Sequence, residues 1–128
     1  MNLRNRKLVR TVQVIMGLYL LFISISGFFQ LLPPPPFNEA GSAFLGALFS
    51  TGYMFYFMSV IFLIVGVTFI FGKWSAFGAA LLAPIIANIL LFHIFLDLTG
   101  FWMALIFAIL HFYLLSIHWP RYKPMFSK

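Results

Sequence analysis

The sequence predicts an all-α fold, an integral membrane four-helix transmembrane bundle, and three observations predict it. The first is composition. Of 128 residues 63% are apolar and 8% charged, where an ordinary soluble domain carries roughly 25% charged residues. A chain this small has much surface for its volume, and two acids with eight bases cannot coat it. The second is run length: a bilayer-crossing helix needs about 20 apolar residues, and four such runs use up most of the chain. The third is the placement of Lys and Arg, which fall beside alternate ends of those runs. The chain has no cysteine, which excludes disulfides, thiolate metal sites, Cys-ligated clusters and thiol nucleophiles. A net charge of +6 does not imply nucleic acid, because the bases flank apolar runs and form no dense patch.

Span 1 covers about residues 9–32, after a start containing Arg4, Arg6, Lys7 and Arg10. A signal-peptide apolar region is only about 7–15 residues long. This run is longer and no small-x-small site follows, so it reads as a retained span. Pro33 to Pro36 end it, since consecutive prolines supply no N–H donors. Asn38 and Glu39 have the character of an N-cap and an acidic first turn, predicting a helix over 39–50. Glu39, Ser42, Gly46 and Ser50 share one stripe of it, with Phe44, Leu45 and Leu48 opposite, which suits a short interfacial helix. Span 2 covers about 52–72, span 3 about 75–96 and span 4 about 100–119. Lys73-Trp74 and the tight turn from Asp97 to Gly100 separate them. The tail from Pro120 is polar and expected to be at most partly ordered. The whole chain, 1–128, reads as a single transmembrane domain.

Four spans put both termini on one side together with the Lys73 loop. All eight Lys and Arg then share that side, and Glu39 and Asp97 the other, which makes the basic side, with the N- and C-termini, cytoplasmic. In lipid, small residues mark packing seams. Span 1 offers Gly17, Leu20, Ser24, Gly27 and Leu31; span 2 offers Gly52, Ser59, Gly66 and Lys73. Span 3 offers Ala76, Ala80, Ala83 and Ala87; span 4 offers Ala104, Ala108, His111, Leu115 and His118. Pro84 predicts a kink that frees a carbonyl near Ala80.

Ionisable and polar groups inside a span are the default functional candidates. At the helical rise, His111 lies about 16 Å and Asn88 about 14 Å from the same side of the membrane. That equal depth predicts a hydrogen bond between them across the bundle. Ser24 and Ser59 lie slightly higher, about 10–12 Å from that side. Two readings of these four residues stand: a polar pin that holds helix register, or a contact for a quinone or another small ligand. His93 and Asp97 are four apart and form an outer-face polar pair. Depth argues against bis-His haem ligation, because His93 and His111 differ by about 10 Å along the normal. No residues are predicted to be catalytic, and none to bind a metal: there is no carboxylate or histidine cluster, and neither acid lies at the depth of His111.

The stretch Phe44–Asp97, with "FLGALFSTGYMF", "GKW" and "LLAPIIANILLFHIFLD", resembles the DoxX-like family of small four-helix bacterial membrane proteins. The resemblance implies a bacterial inner-membrane protein, and some relatives are subunits associated with quinone-linked oxidation of sulfur compounds. A Lys-x-x-Glu pair frequent in the family's second span corresponds here to Ser59 and Phe62, so chemistry that depends on that pair is not expected. The leading expectation is therefore a non-enzymatic accessory or structural subunit of a membrane complex, partnered by the bilayer and by another membrane protein or a further copy. The alternative is a quinone-binding redox accessory subunit using Asn88 and His111; a small oligomeric transporter or channel is the weaker third.

Overall fold

The helices begin and end where the backbone groups left over at helix termini find partners. The computed structural model describes residues 3–33 and 36–127; Pro34, Pro35, Lys128 and the Arg4 side chain lie outside the described residues. Helix α1 spans Leu3–Phe29. It starts earlier than the apolar run because the basic residues ahead of it are good helix formers. It stops three residues before the expected end: Gln30 turns left-handed at φ 51° and the Leu31 N–H donates to the Ser26 carbonyl at 3.1 Å, a Schellman-type closure. Helix α2, Glu39–Ser50, begins on Asn38, whose side-chain oxygen accepts the Gly41 N–H at 2.8 Å. Its Glu39, Ser42, Gly46 and Ser50 are exposed while Phe44, Leu45 and Leu48 are half-buried, as the stripe pattern predicts.

Helix α3, Met54–Phe71, starts under the Thr51 hydroxyl, which accepts the Met54 N–H at 3.1 Å, and ends at Gly72. Helix α4 is Ser75–Phe95 and α5 is Phe101–Ile117. Between them the Asp97 carboxylate accepts the Thr99 N–H and the Phe101 N–H donates to the Leu98 carbonyl, closing the expected turn. The tail departs from expectation by being ordered. Trp119–Tyr122 forms α6 and Lys123–Phe126 a 3₁₀ turn. Pro120 fits the first turn, where its missing N–H costs nothing. The Trp119 and Phe126 rings stack at 5.7 Å, and the Tyr122 hydroxyl donates to the Ala76 carbonyl. Three helices are long and apolar enough to cross a membrane. A fourth span results if α5 is joined to the segment that follows it across a 63° bend.

α3 packs against α1 and α4, and α5 against α4 and α1, around a core that includes Met16, Leu20, Val65, Phe69, Leu82 and Leu114. The α1–α3 contact is the closest. A Cβ at Gly17 would lie 3.0 Å from the Gly66 carbonyl oxygen, a Cβ at Gly66 3.1 Å from the Gly17 carbonyl oxygen, and one at Gly27 would overlap the Ser59 hydroxyl. The small residues of spans 1 and 2 thus meet, although Gly52 has open space around its Cβ position and Leu31 and Lys73 are exposed. His111 of α5 is buried, and the rest of its stripe is partly buried.

The alanine stripe of span 3 is not its seam. α4 turns Gly78, Ala79, Leu82 and Ile86 inward, and leaves Ala80 and Ala87 exposed. The reason is Gly78, where any Cβ would overlap the Thr68 hydroxyl: the one position without a side chain, not the most numerous small residues, decides where α3 and α4 touch.

This packing predicts opposite outcomes for two glycines. Gly17→Ala must displace the α3 backbone and should lower unfolding stability in detergent by about 1–3 kcal/mol. Gly46→Ala, with nothing within 4 Å of its Cβ, should stabilise α2 by up to about 1 kcal/mol. Thermal unfolding followed by circular dichroism reads both.

Candidate functional site

Burying a hydroxyl or imidazole without a hydrogen bond costs several kcal/mol in an apolar surround, so the partner each one takes shows what it is used for. Ser24 and Ser59 are both buried, and the Ser24 hydroxyl donates to the Ser59 carbonyl at 2.7 Å. These two predicted residues are brought together, one turn from Gly27. Thr68 and Ser75 continue the pattern: the Thr68 hydroxyl donates to the Val65 carbonyl at 2.7 Å and the Ser75 hydroxyl to the Thr68 carbonyl at 3.4 Å.

His111 is 3% exposed, and its Nε2 lies 2.8 Å from the Ala79 carbonyl oxygen. A carbonyl only accepts, so Nε2 carries the proton. The predicted bond to Asn88 does not form. Nine residues separate Asn88 from Ala79, which at 100° per residue places them on opposite sides of α4, and equal depth carries no information about that rotation. His111 bonds the inward face, and Asn88 is exposed on the other. Pro84 lies inside α4 and brings no N–H to the Ala80 carbonyl, next to the one that His111 uses.

At the end of the molecule holding the 97–100 turn, the predicted pair His93 and Asp97 forms one cluster with Asn38, the predicted N-cap of α2. Asp97 is 4% exposed. Its Oδ2 accepts the Asn38 backbone N–H at 2.6 Å and its Oδ1 the Thr99 N–H at 2.8 Å. The Asn38 amide donates to the Leu96 carbonyl at 2.6 Å. Asn38 thereby caps α2 and fastens it to the α4–α5 turn. His93 is paired with Asp97 through the Asp97 backbone carbonyl, 3.1 Å from Nδ1, and not through the carboxylate. The Phe37 and Phe92 rings pack edge-on around the imidazole at 6.0 and 5.2 Å.

At the opposite end, Arg10 does more than mark orientation. Its guanidinium donates to the Phe69 carbonyl at 2.8 Å and to the Ile70 carbonyl, capping the carbonyl-rich end of α3, where cations are favoured. Gln13, which the sequence did not single out, lies 3.4 Å from His118 Nε2 through its amide nitrogen. Antiparallel pairing of Gly17 with Gly66 already sets Arg10 opposite the end of α3, so the register held the signal for Arg10. Gln13 had none.

The arrangement binds helices to one another. The hydrogen bonds of Ser24, Thr68, Ser75, His93 and His111 all go to backbone carbonyls, and none of the bonds joins a nucleophile to a base. Among the described residues no group of three His, Cys, Asp or Glu is placed to hold a metal ion.

The two N–H groups on Asp97, that of Asn38 first and that of Thr99 second, hold its carboxyl below the ordinary value of 3.8. A depressed folded-state pKa adds stability above the unfolded value, and this is lost as pH falls through the folded value. Detergent-solubilised protein should therefore hold its melting temperature from neutrality to about pH 5 and lose it below about pH 4. Asp97→Asn should melt lower at neutral pH and lack this acid-side loss.

No family model, no curated protein and no solved structure matches this chain.

Proposed function

We propose that this chain is a multi-pass protein of the bacterial inner membrane, of the DoxX-like kind, that serves as a non-catalytic structural or accessory subunit of a membrane complex. One observation carries this reading: where buried polar side chains of the helices form hydrogen bonds between helices, they spend them on backbone carbonyls of the scaffold. Ser24 bonds Ser59, His111 bonds Ala79 and Ser75 bonds Thr68, each through a backbone carbonyl. Groups used in this way hold register and leave little to bind or turn over a substrate.

The charge distribution supports the orientation. Arg10 sits against the end of α3, and Tyr122 ties the tail with Arg121 and Lys123 beside Ala76 at the start of α4, so these bases gather at one end with Lys73. Asp97 and the Asn38–Glu39 start of α2 lie at the other. Under the positive-inside rule the basic end, with both termini, faces the cytoplasm. The quinone reading rested on Asn88 and His111 acting together. His111 of α5 bonds the inward face of α4 and Asn88 lies on the opposite face, so that reading is left with one imidazole already engaged.

Two measurements test the proposal. Affinity-tagged protein, extracted from native membranes in mild detergent, should co-purify with a reproducible partner, and deletion of the chain should impair assembly of that partner's complex. Recovery without companions, with normal assembly of membrane complexes after deletion, would contradict it. His111→Ala should cost about 1–3 kcal/mol in stability and leave quinone reduction by the membranes unchanged; a specific loss of quinone reduction in a folded variant would favour the redox reading.

A further inference from the structure

Asn88 is the residue that the scaffold does not account for. It lies seven residues from the end of α4 at Phe95, about 10 Å inside that helix, and it is exposed. No group among the described residues hydrogen-bonds its carboxamide. In the proposed membrane setting, on which this inference rests, that carboxamide faces hydrocarbon, where two N–H donors and a carbonyl go unsatisfied. Polar residues at such depth ordinarily face the protein interior. The residues around Asn88 follow a pattern of their own. Phe77, Pro84 and Leu91 recur at steps of seven, and so do Leu81, Asn88 and Phe95. Phe77, Leu91 and Phe95 are 55, 50 and 76% exposed, and Leu81 is half-buried. This is the two-position seven-residue repeat of a helix–helix seam, with the exposed Ala80 and Ala87 at its margin allowing close approach.

We infer that the outward face of α4 is the interface for a second copy of this chain, and that paired Asn88 carboxamides lie at its centre. The chemistry and the orientation together specify the occupant. A carboxamide is both donor and acceptor, so two of them satisfy each other by reciprocal N–H···O bonds. One-sided Lys and Arg insert every copy the same way up, so Asn88 stands at the same depth in each. A twofold axis along the membrane normal then brings the two together with no further coincidence required. A single Asn in an apolar seam also fixes register and copy number.

The absence of cysteine makes the test direct. Leu91→Cys in full-length protein, reconstituted in phosphatidylcholine–phosphatidylglycerol vesicles at dilute protein-to-lipid ratio, should cross-link to a dimer on mild oxidation. Ile109→Cys, exposed on α5, should not. Adding Asn88→Leu to Leu91→Cys should weaken dimerisation roughly tenfold, read as the shift in protein-to-lipid ratio at half cross-linking, while leaving the helical content and melting temperature of the detergent-held monomer unchanged. Equal cross-linking of both cysteines, no cross-linking of Leu91→Cys, or no effect of Asn88→Leu would overturn the inference. Loss of monomer stability in Asn88→Leu would also overturn it, by assigning the residue to the monomer's own packing. Alkaline carbonate extraction of the same vesicles separates the two levels: protein released from the lipid refutes the membrane reading, whereas protein retained but monomeric refutes only the interface.

Discussion

The approach of α1 to α3 at Gly17 and Gly66 is the constraint on which the remaining contacts depend. With the other helix's carbonyl oxygen only 3.0–3.1 Å from where each glycine's Cβ would stand, the two backbones approach as closely as they do because neither residue has a side chain. Apolar side chains gain little from leaving lipid for protein, so close van der Waals contact and hydrogen bonds must hold such helices together. The register set at this crossing fixes the other α1–α3 contacts. Ser24 meets the Ser59 carbonyl toward one end, and Arg10 meets the last carbonyls of α3 toward the other. α4 then returns along α3 from the Gly72–Trp74 corner, and α5 closes back onto α1 through Tyr19 and Phe107, whose rings lie 5.4 Å apart.

Polar groups complete the arrangement in a consistent way. In the helix interiors Ser24 and His111 reach across to a carbonyl of another helix while Thr68 bonds one in its own, and those at the ends cap or clamp. The Asn38–Asp97 clamp fastens α2, which buries little apolar surface of its own, to the distant α4–α5 turn by two bonds. Pro84 and His111 act near one another, since the proline leaves one carbonyl without its helical donor and the imidazole bonds the neighbouring one. Asn88 is the departure from this economy, because its carboxamide points away from the single chain and toward whatever lies beside α4.

Much of this was legible in the sequence. The helices followed from apolar run length, the 39–50 helix from Asn38 and its stripe, and the α1–α3 seam from Gly17, Ser24, Gly27, Ser59 and Gly66. Four features were not, each for a physical reason. The inward face of α4 was hidden because Ala76, Ala80, Ala83 and Ala87 made a more regular stripe than the lone Gly78, whose effect depends on Thr68 in another helix. The Asn88–His111 pairing failed because equal depth does not fix rotation about the helix axis. The Asn38–Asp97 clamp joins residues 59 positions apart, and nothing local to either announces it. The ordered tail was missed because its polar hold on the fold is one hydroxyl reaching Ala76, beside a ring stack internal to the tail.

The most direct test of the account is a distance across the α1–α3 seam in a bilayer. Protein labelled with ¹³C at glycine Cα and carbonyl carbons, in lipid vesicles, should give a through-space solid-state NMR correlation between Gly17 and Gly66, assigned by its loss in Gly66→Ala. Finding that correlation would place the two backbones in contact in the membrane. Its absence from well-resolved spectra of fully helical protein would contradict the seam, and with it the register that positions Ser24, Ser59 and Arg10.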